Sequence, residues 1–119
     1  AAATTGAIMS VRLTAGLWVS AYLNRLRLSD IPAYVMAKGD ATAGAVLVKV
    51  ATMDGQACIY ERHFDLERDQ RVWQVLAQGA ELDLDAILAR ARGRDPDLWI
   101  IEIEDRAGRH LLSQDGFAD

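Results

Sequence analysis

The most informative pattern of apolar and polar positions lies between Gly44 and Phe64. The run Gly44-Ala45-Val46-Leu47-Val48-Lys49-Val50-Ala51-Thr52-Met53 is followed by Asp54-Gly55 and then by Gln56-Ala57-Cys58-Ile59-Tyr60-Glu61-Arg62-His63-Phe64. Two β-rich runs around an Asp-Gly pair predict a hairpin, because both turn residues tolerate the positive φ of a type I′ turn. In the first run Val46, Val48 and Val50 share one face and Ala45, Leu47 and Lys49 the other. That near-continuous apolarity predicts a central strand covered on most of both faces. In the second run Cys58, Tyr60, Arg62 and Phe64 alternate with Ala57, Ile59, Glu61 and His63.

Helical periods flank this hairpin. Leu13 to Leu28 places Leu17, Ala21 and Leu28 on one side, with Trp18, Tyr22 and Leu26 beside them. Thr14 is the expected N-cap, Arg25 and Arg27 suit the negative end of the dipole, and Pro32 ends the helix. Leu82 to Arg92 is the second helix, with Leu84, Ile87, Leu88 and Ala91 as its stripe and Gly93 as its C′ residue. Ala33–Lys38, Arg71–Ala77 and Leu98–Glu104 read as further strands, and Arg109–Leu112 as a candidate short one. The order α-β-β-β-β-α-β predicts an α+β fold. An antiparallel sheet of about four to five strands would carry two helices packed on one face.

Residues 1–8 read as an expression scar or disordered leader ahead of Met9, residues 9–112 as a single domain, and residues 113–119 as a frayed tail. A length of 119 residues with 51% hydrophobic and 25% charged composition fits one globular domain with a real core. The single cysteine, Cys58, excludes an internal disulfide framework and fits a reducing cytoplasm. No apolar run approaches the roughly 20 residues that span a bilayer, so no membrane partner is expected.

Net charge is −4, unevenly spread: residues 1–60 carry +2 and residues 61–119 carry −6. An acidic chain without a dense basic stripe is a poor candidate for nucleic acid, for which Arg12, Arg25, Arg27 and Lys38 would be the contacts.

Three blocks carry a resemblance. They are Arg12-Leu13-Thr14-Ala15-Gly16-Leu17-Trp18-Val19-Ser20-Ala21-Tyr22; Gly39-Asp40 with Gly44-Ala45-Val46-Leu47-Val48-Lys49; and Asp95-Pro96-Asp97-Leu98-Trp99 with Glu102 and Glu104-Asp105-Arg106. Together they resemble a small uncharacterised alphaproteobacterial family of unknown function whose members are about this long. The resemblance implies a cytoplasmic single-domain protein with no assigned activity, and it carries over no catalytic residues.

Several constellations are chemically suggestive. Glu61, His63 and Asp65 fall on one side of an extended strand, where oxygen and nitrogen ligands at i, i+2 and i+4 suit Zn²⁺ or Mn²⁺; a solvated strand face gives the same spacing. His63 and His110 are the only histidines and the only candidates for an imidazole base. Cys58 has no neighbour that would activate it and reads as buried and inert. Glu102 and Glu104 share a face near Asp105, Arg106 and Arg109, as acid–base pairs and strand ends pairing with arginine both do.

The loop Gly39–Gly44, with Asp40, is the foremost candidate for a ligand-binding segment, since glycine loops can present backbone N–H groups to a phosphate. Its glycines equally suit a plain strand connector. Trp18 and Tyr22 could line a cofactor pocket, but core packing is the commoner use of such a pair. Trp73 and Trp99 would anchor a protein partner if one sheet face were open, and would be core if helices cover it. The function expected on balance is a non-enzymatic binding or protein-interaction module, a homo-oligomer or partner of another protein, with no cofactor. The competing expectation is a small metal- or nucleotide-dependent enzyme drawing on Asp40, Glu61, His63 and Glu102.

Overall fold

A computed structural model describes residues 13–114 and residue 117. The leader, Met9 and Arg12 therefore lie outside the described residues. The elements follow the expected order: α1 (Ala15–Leu28), β1 (Ala33–Ala37), β2 (Val46–Ala51), β3 (Gln56–Asp65), β4 (Gln70–Ala80), α2 (Glu81–Arg94) and β5 (Trp99–Glu104). They form an α+β domain around one five-stranded sheet ordered β1-β5-β2-β3-β4. All neighbours are antiparallel except β2 and β5, which run parallel from Val46↔Trp99 to Ala51↔Glu104. No helix of the described residues is long and apolar enough to cross a membrane.

The two helices do not share a face, contrary to expectation. Trp18, Val19, Tyr22 and Leu26 of α1 pack with Val46, Val48 and Val50 of β2 and with Ile101 and Ile103 of β5. Leu84 and Leu88 of α2 pack with Leu47, Ala57, Ile59, Leu98 and Ile100. Successive side chains of a strand point to opposite faces, so these two sets lie on opposite sides of the sheet. The cause is the central strand pair: β2 and β5 bury apolar side chains on both faces, and each face needs a cover. Burying each such Val, Ile or Leu side chain contributes roughly 1.5–3 kcal/mol before entropy is counted.

Local chemistry explains the element ends. The Thr14 hydroxyl accepts from Leu17 N at 3.4 Å and caps α1, whose buried stripe runs Ala15, Trp18, Val19, Tyr22 and Leu26. Leu17 and Leu28, expected on the apolar side, are exposed instead. The hairpin between β2 and β3 forms where expected, but its turn is longer than type I′. Positive φ falls at Met53 and Gly55, and the Asp54 carboxylate accepts from the Thr52 hydroxyl at 2.6 Å and from Gln56 N at 3.1 Å. The helix α2 follows β4 without a side-chain cap; its first amide, Glu81 N, donates to Gly55 O of that turn at 2.9 Å. Gly93 lies inside its last turn, and Asp95 before Pro96 ends it. Arg109–Leu112 is not a strand: Leu111 takes a left-handed backbone at φ 61.

Candidate functional site

The loop Gly39–Gly44 closes on itself. The Asp40 carboxylate accepts from Thr42 N at 3.2 Å and Ala43 N at 2.8 Å, Asp40 N donates to Asp97 O at 2.9 Å, and Gly44 N donates to Asp40 O at 3.2 Å. The amides of Asp40, Thr42, Ala43 and Gly44 are therefore already paired. The glycines have a packing reason: a Cβ at either Gly39 or Gly44 would collide with the carbonyl oxygen of Asp97. The loop also satisfies the start of α1, whose Ala15 N and Gly16 N donate to Thr42 O and Ala41 O. The loop thus connects β1 to the start of α1 and to Asp97, and Gly44 lines a cavity of about 340 Å³ beside Thr14, Arg62 and Arg71.

The other expected site residues are dispersed. Glu61 accepts from Gln74 Nε2 at 2.9 Å; Asp65 caps the β3–β4 turn through Glu67 N at 3.0 Å and Arg68 N at 3.3 Å. His63 pairs with Val72 along the β3–β4 ladder. Among the described residues no group of three His, Cys, Asp or Glu side chains converges to hold a metal ion. Asp105 binds Arg109 through its backbone N–H at 2.7 Å and its guanidinium at 2.8 Å. The hydrogen bonds from Arg109 are the largest cause that keeps the Asp105 carboxyl below its usual range.

Trp99 is buried and its indole N–H donates to Asp40 O at 2.8 Å, so it presents no surface to a partner. Trp73 is half-buried against the α1 core. An irregularity in β4 opposite Ile59 and Tyr60 sets Trp73 opposite Arg62. The Arg62 guanidinium carbon lies 5.1 Å from the Trp18 ring centre and 5.3 Å from that of Trp73, a cation over two aromatic faces. Cys58 is half-buried, and with Tyr60 it lines a second cavity of about 340 Å³. Burial, followed by the contact with Cys58, pushes the Tyr60 phenol up to about 12. Nothing there activates the thiol.

Sequence reasoning passed over three features. Lys49 is one: it is 2% exposed on the α2 side of the sheet, and its Nζ meets Glu81 at 2.7 Å, Asp85 at 2.7 Å and Glu102 at 2.9 Å. Burial acts to lower its pKa, but the hydrogen bonds to the three carboxylates override it and hold the ammonium charged. The three ion pairs occupy its ammonium and pin α2 to the sheet. Its signal in the sequence was a lone charge in the inward pattern of Val46–Ala51.

Phe117 is the second. Its carbonyl oxygen accepts from both the Trp18 indole at 3.2 Å and the Trp73 indole at 2.7 Å.

The third is the edge strand β1. Its only sheet neighbour among the described residues is β5, and Tyr34, Val35 and Met36 are all exposed. The Tyr34 hydroxyl bonds the Glu104 carboxylate, which raises its pKa. Beneath the edge a groove of about 540 Å³ is lined by Leu23, Arg27, Asp30, Ile31, Pro32 and Tyr34, with Ala33 at its floor. A run of five uncharged residues between Pro32 and Lys38 was the available signal.

Comparison with known proteins supports this fold. A crystal structure of a DUF1491 family protein from Caulobacter crescentus CB15 is 43% identical, covers 85% of this chain and 95% of its own, and superposes with a TM-score of 0.77. A solution structure of a DUF1491 family protein from the same organism is 42% identical, with 87% and 96% coverage and a TM-score of 0.75. A protein from A. tumefaciens, solved in solution, is 30% identical over 79% of this chain and 86% of its own, with a TM-score of 0.67. No curated protein matches the chain. The family model described as "Protein of unknown function (DUF1491)" matches residues 13–113. The chain therefore belongs to the DUF1491 family, whose function is unknown.

Proposed function

We propose that this domain works by binding protein, that its docking surface is the outer edge of β1, and that the occupant is a second copy of the same chain. The observation that carries the reading is the composition of that edge. Sheet edges in monomeric proteins are usually blunted by charge, proline or a covering segment, because their free N–H and C=O groups template further pairing. Ala33–Ala37 contains no charge, and Tyr34, Val35 and Met36 are 50%, 41% and 59% exposed.

A second copy suits the edge because the run is self-complementary. Antiparallel pairing about Val35 sets Tyr34 of each copy against Met36 of the other, an aromatic–thioether contact. The irregularity between Val35 and Ala37 limits the ladder to a few pairs, which makes the dimer weak and reversible. A cytoplasmic location belongs to the same reading, since the one cysteine has no partner in its own chain to be oxidised with.

Sedimentation velocity from about 10 µM to about 1 mM tests the proposal. The expected result is a monomer–dimer equilibrium in the native chain and a monomer throughout in Val35→Lys, where two like charges meet at the centre of the pairing. A native chain that stays monomeric over the whole range, or a Val35→Lys dimer of unchanged affinity, would overturn it.

A further inference from the structure

Met36 is the inserted residue of β1. The register passes from Val35↔Ile101 to Ala37↔Ile100, so Met36 has no counterpart on β5. A bulge of this kind leaves one residue unpaired and re-aims its side chain. Met36 is 59% exposed, and it presents a thioether within a strand that carries no charge. The protein has two other methionines. Met9 lies outside the described residues. Met53 is 47% exposed, but it sits in the turn between β2 and β3 and not on the sheet edge. Two thioethers of similar exposure thus differ in place.

The β1–β1 pairing proposed above, on which this inference rests, treats them differently. Pairing about Val35 brings Met36 of each copy against the Tyr34 ring of the other, and the twofold axis makes that contact twice. The Tyr34 hydroxyl is committed to the Glu104 carboxylate, which holds the ring in place. A thioether against an aromatic ring is a favourable apolar contact. Hydrogen peroxide abolishes it. The Met36 Sδ lone pair takes up one peroxide oxygen, the O–O bond breaks, and water leaves. Sulfur is oxidised by two electrons, peroxide is reduced by two, and the product is methionine sulfoxide. The new oxygen is a strong acceptor that must shed its water to lie against Tyr34, where the nearest hydroxyl already donates to Glu104. A polar group buried without a partner is costly, and each dimer would bury two.

We infer that Met36 is a modification site, and that its oxidation by hydrogen peroxide switches off the pairing of the β1 edges. The thioether is open to peroxide in the monomer and covered in the dimer, so oxidation traps the monomer. Reduction of the sulfoxide restores the thioether and the pairing with it. Met53 undergoes the same chemistry without consequence for association.

The test treats the full chain with hydrogen peroxide until mass spectrometry shows Met36 converted. Dithiothreitol then returns a sulfenic acid or disulfide at Cys58 to the thiol and leaves the sulfoxide in place. In sedimentation velocity the oxidised native chain is expected to dimerise more weakly than the untreated one by about tenfold or more. Met36→Leu keeps an apolar side chain of similar volume and should dimerise like the native chain before and after treatment. An unchanged dimer in the oxidised native chain overturns the inference and leaves the edge pairing standing. So does a Met36→Leu dimer that weakens on treatment as the native one does, because the lesion then lies elsewhere. An untreated native chain that never dimerises removes the pairing itself, and the inference with it. Peptide mass spectrometry supplies a second readout. The oxidation rate of Met36 relative to Met53 should fall severalfold as the protein is raised from about 10 µM to about 1 mM. A constant ratio in a chain that dimerises means that pairing does not cover Met36, and the inference falls.

Discussion

Lys49 and Glu102 stand directly opposite each other on the parallel pair β2 and β5, and the Lys49 Nζ lies 2.9 Å from the Glu102 Oε1. The same ammonium reaches Glu81 and Asp85, one turn apart at the start of α2. One buried cation thus joins two central strands to the helix that covers them. Glu81, in the first turn of α2, also sits where the helix dipole favours negative charge. The network explains how α2 is registered on its face, where its apolar contribution is modest: Leu84 and Leu88 are its fully buried side chains.

Removing the cation should therefore cost more than removing one acid. Lys49→Met leaves three carboxylates gathered around an apolar chain; because Glu81 and Asp85 are partly exposed to water, the cost falls below the roughly 3–5 kcal/mol of a fully buried pair broken from one side. Glu102→Gln leaves Lys49 with Glu81 and Asp85 and is expected to cost less than half of that. Urea denaturation of both variants decides it; a Lys49→Met chain as stable as the native one shows that the network contributes nothing to stability.

Much of this fold was legible before any coordinates. The Asp54-Gly55 pair announced the hairpin, the 3.6-residue periods announced both helices, and the apolar run Val46–Ala51 announced a central strand. All of these are short-range signals. The side of the sheet that each helix takes was not legible, because it follows from β5 inserting between β1 and β2, a pairing of residues about fifty positions apart. The Arg62–Trp73 stack depends on one irregularity in β4, which no residue pattern marks. The packing role of the Gly39–Gly44 loop was hidden for a related reason: glycines that let a backbone pass close to Asp97 read, in one dimension, like glycines that cradle a ligand.

His110 gives a pH prediction. Its Nδ1 accepts from Leu112 N at 3.0 Å, its ring lies 4.5 Å from that of Tyr60, and its carbonyl accepts from the Tyr22 hydroxyl at 2.6 Å. Burial lowers its pKa below the ordinary value of 6.5. The folded state therefore keeps the imidazole neutral while the unfolded chain takes up a proton. The stability from this residue is complete above about pH 6.5 and declines as pH falls toward the folded-state pKa, by at most ~1.4 kcal/mol per pH unit. Denaturation curves at pH 7.5 and 5.5 should differ in the native chain and converge in His110→Gln. An NMR titration that finds the His110 pKa at or above 6.5 would remove the basis for this.

The two loop glycines separate packing from ligand binding. Both face the same Asp97 carbonyl, and Gly39 also faces the Trp99 ring, so an added methyl must displace backbone rather than a flexible side chain. Gly39→Ala and Gly44→Ala are each expected to destabilise the fold by about 3 kcal/mol or more. Gly55, with φ +85 and open space around it, is the control. Its alanine substitution forces only a left-handed backbone and should cost about 1–2 kcal/mol. Thermal denaturation of the three variants ranks them. If Gly39→Ala and Gly44→Ala melt with the native chain while Gly55→Ala does not, the close approach to Asp97 is not what these glycines serve. The loop would then return as a candidate ligand site.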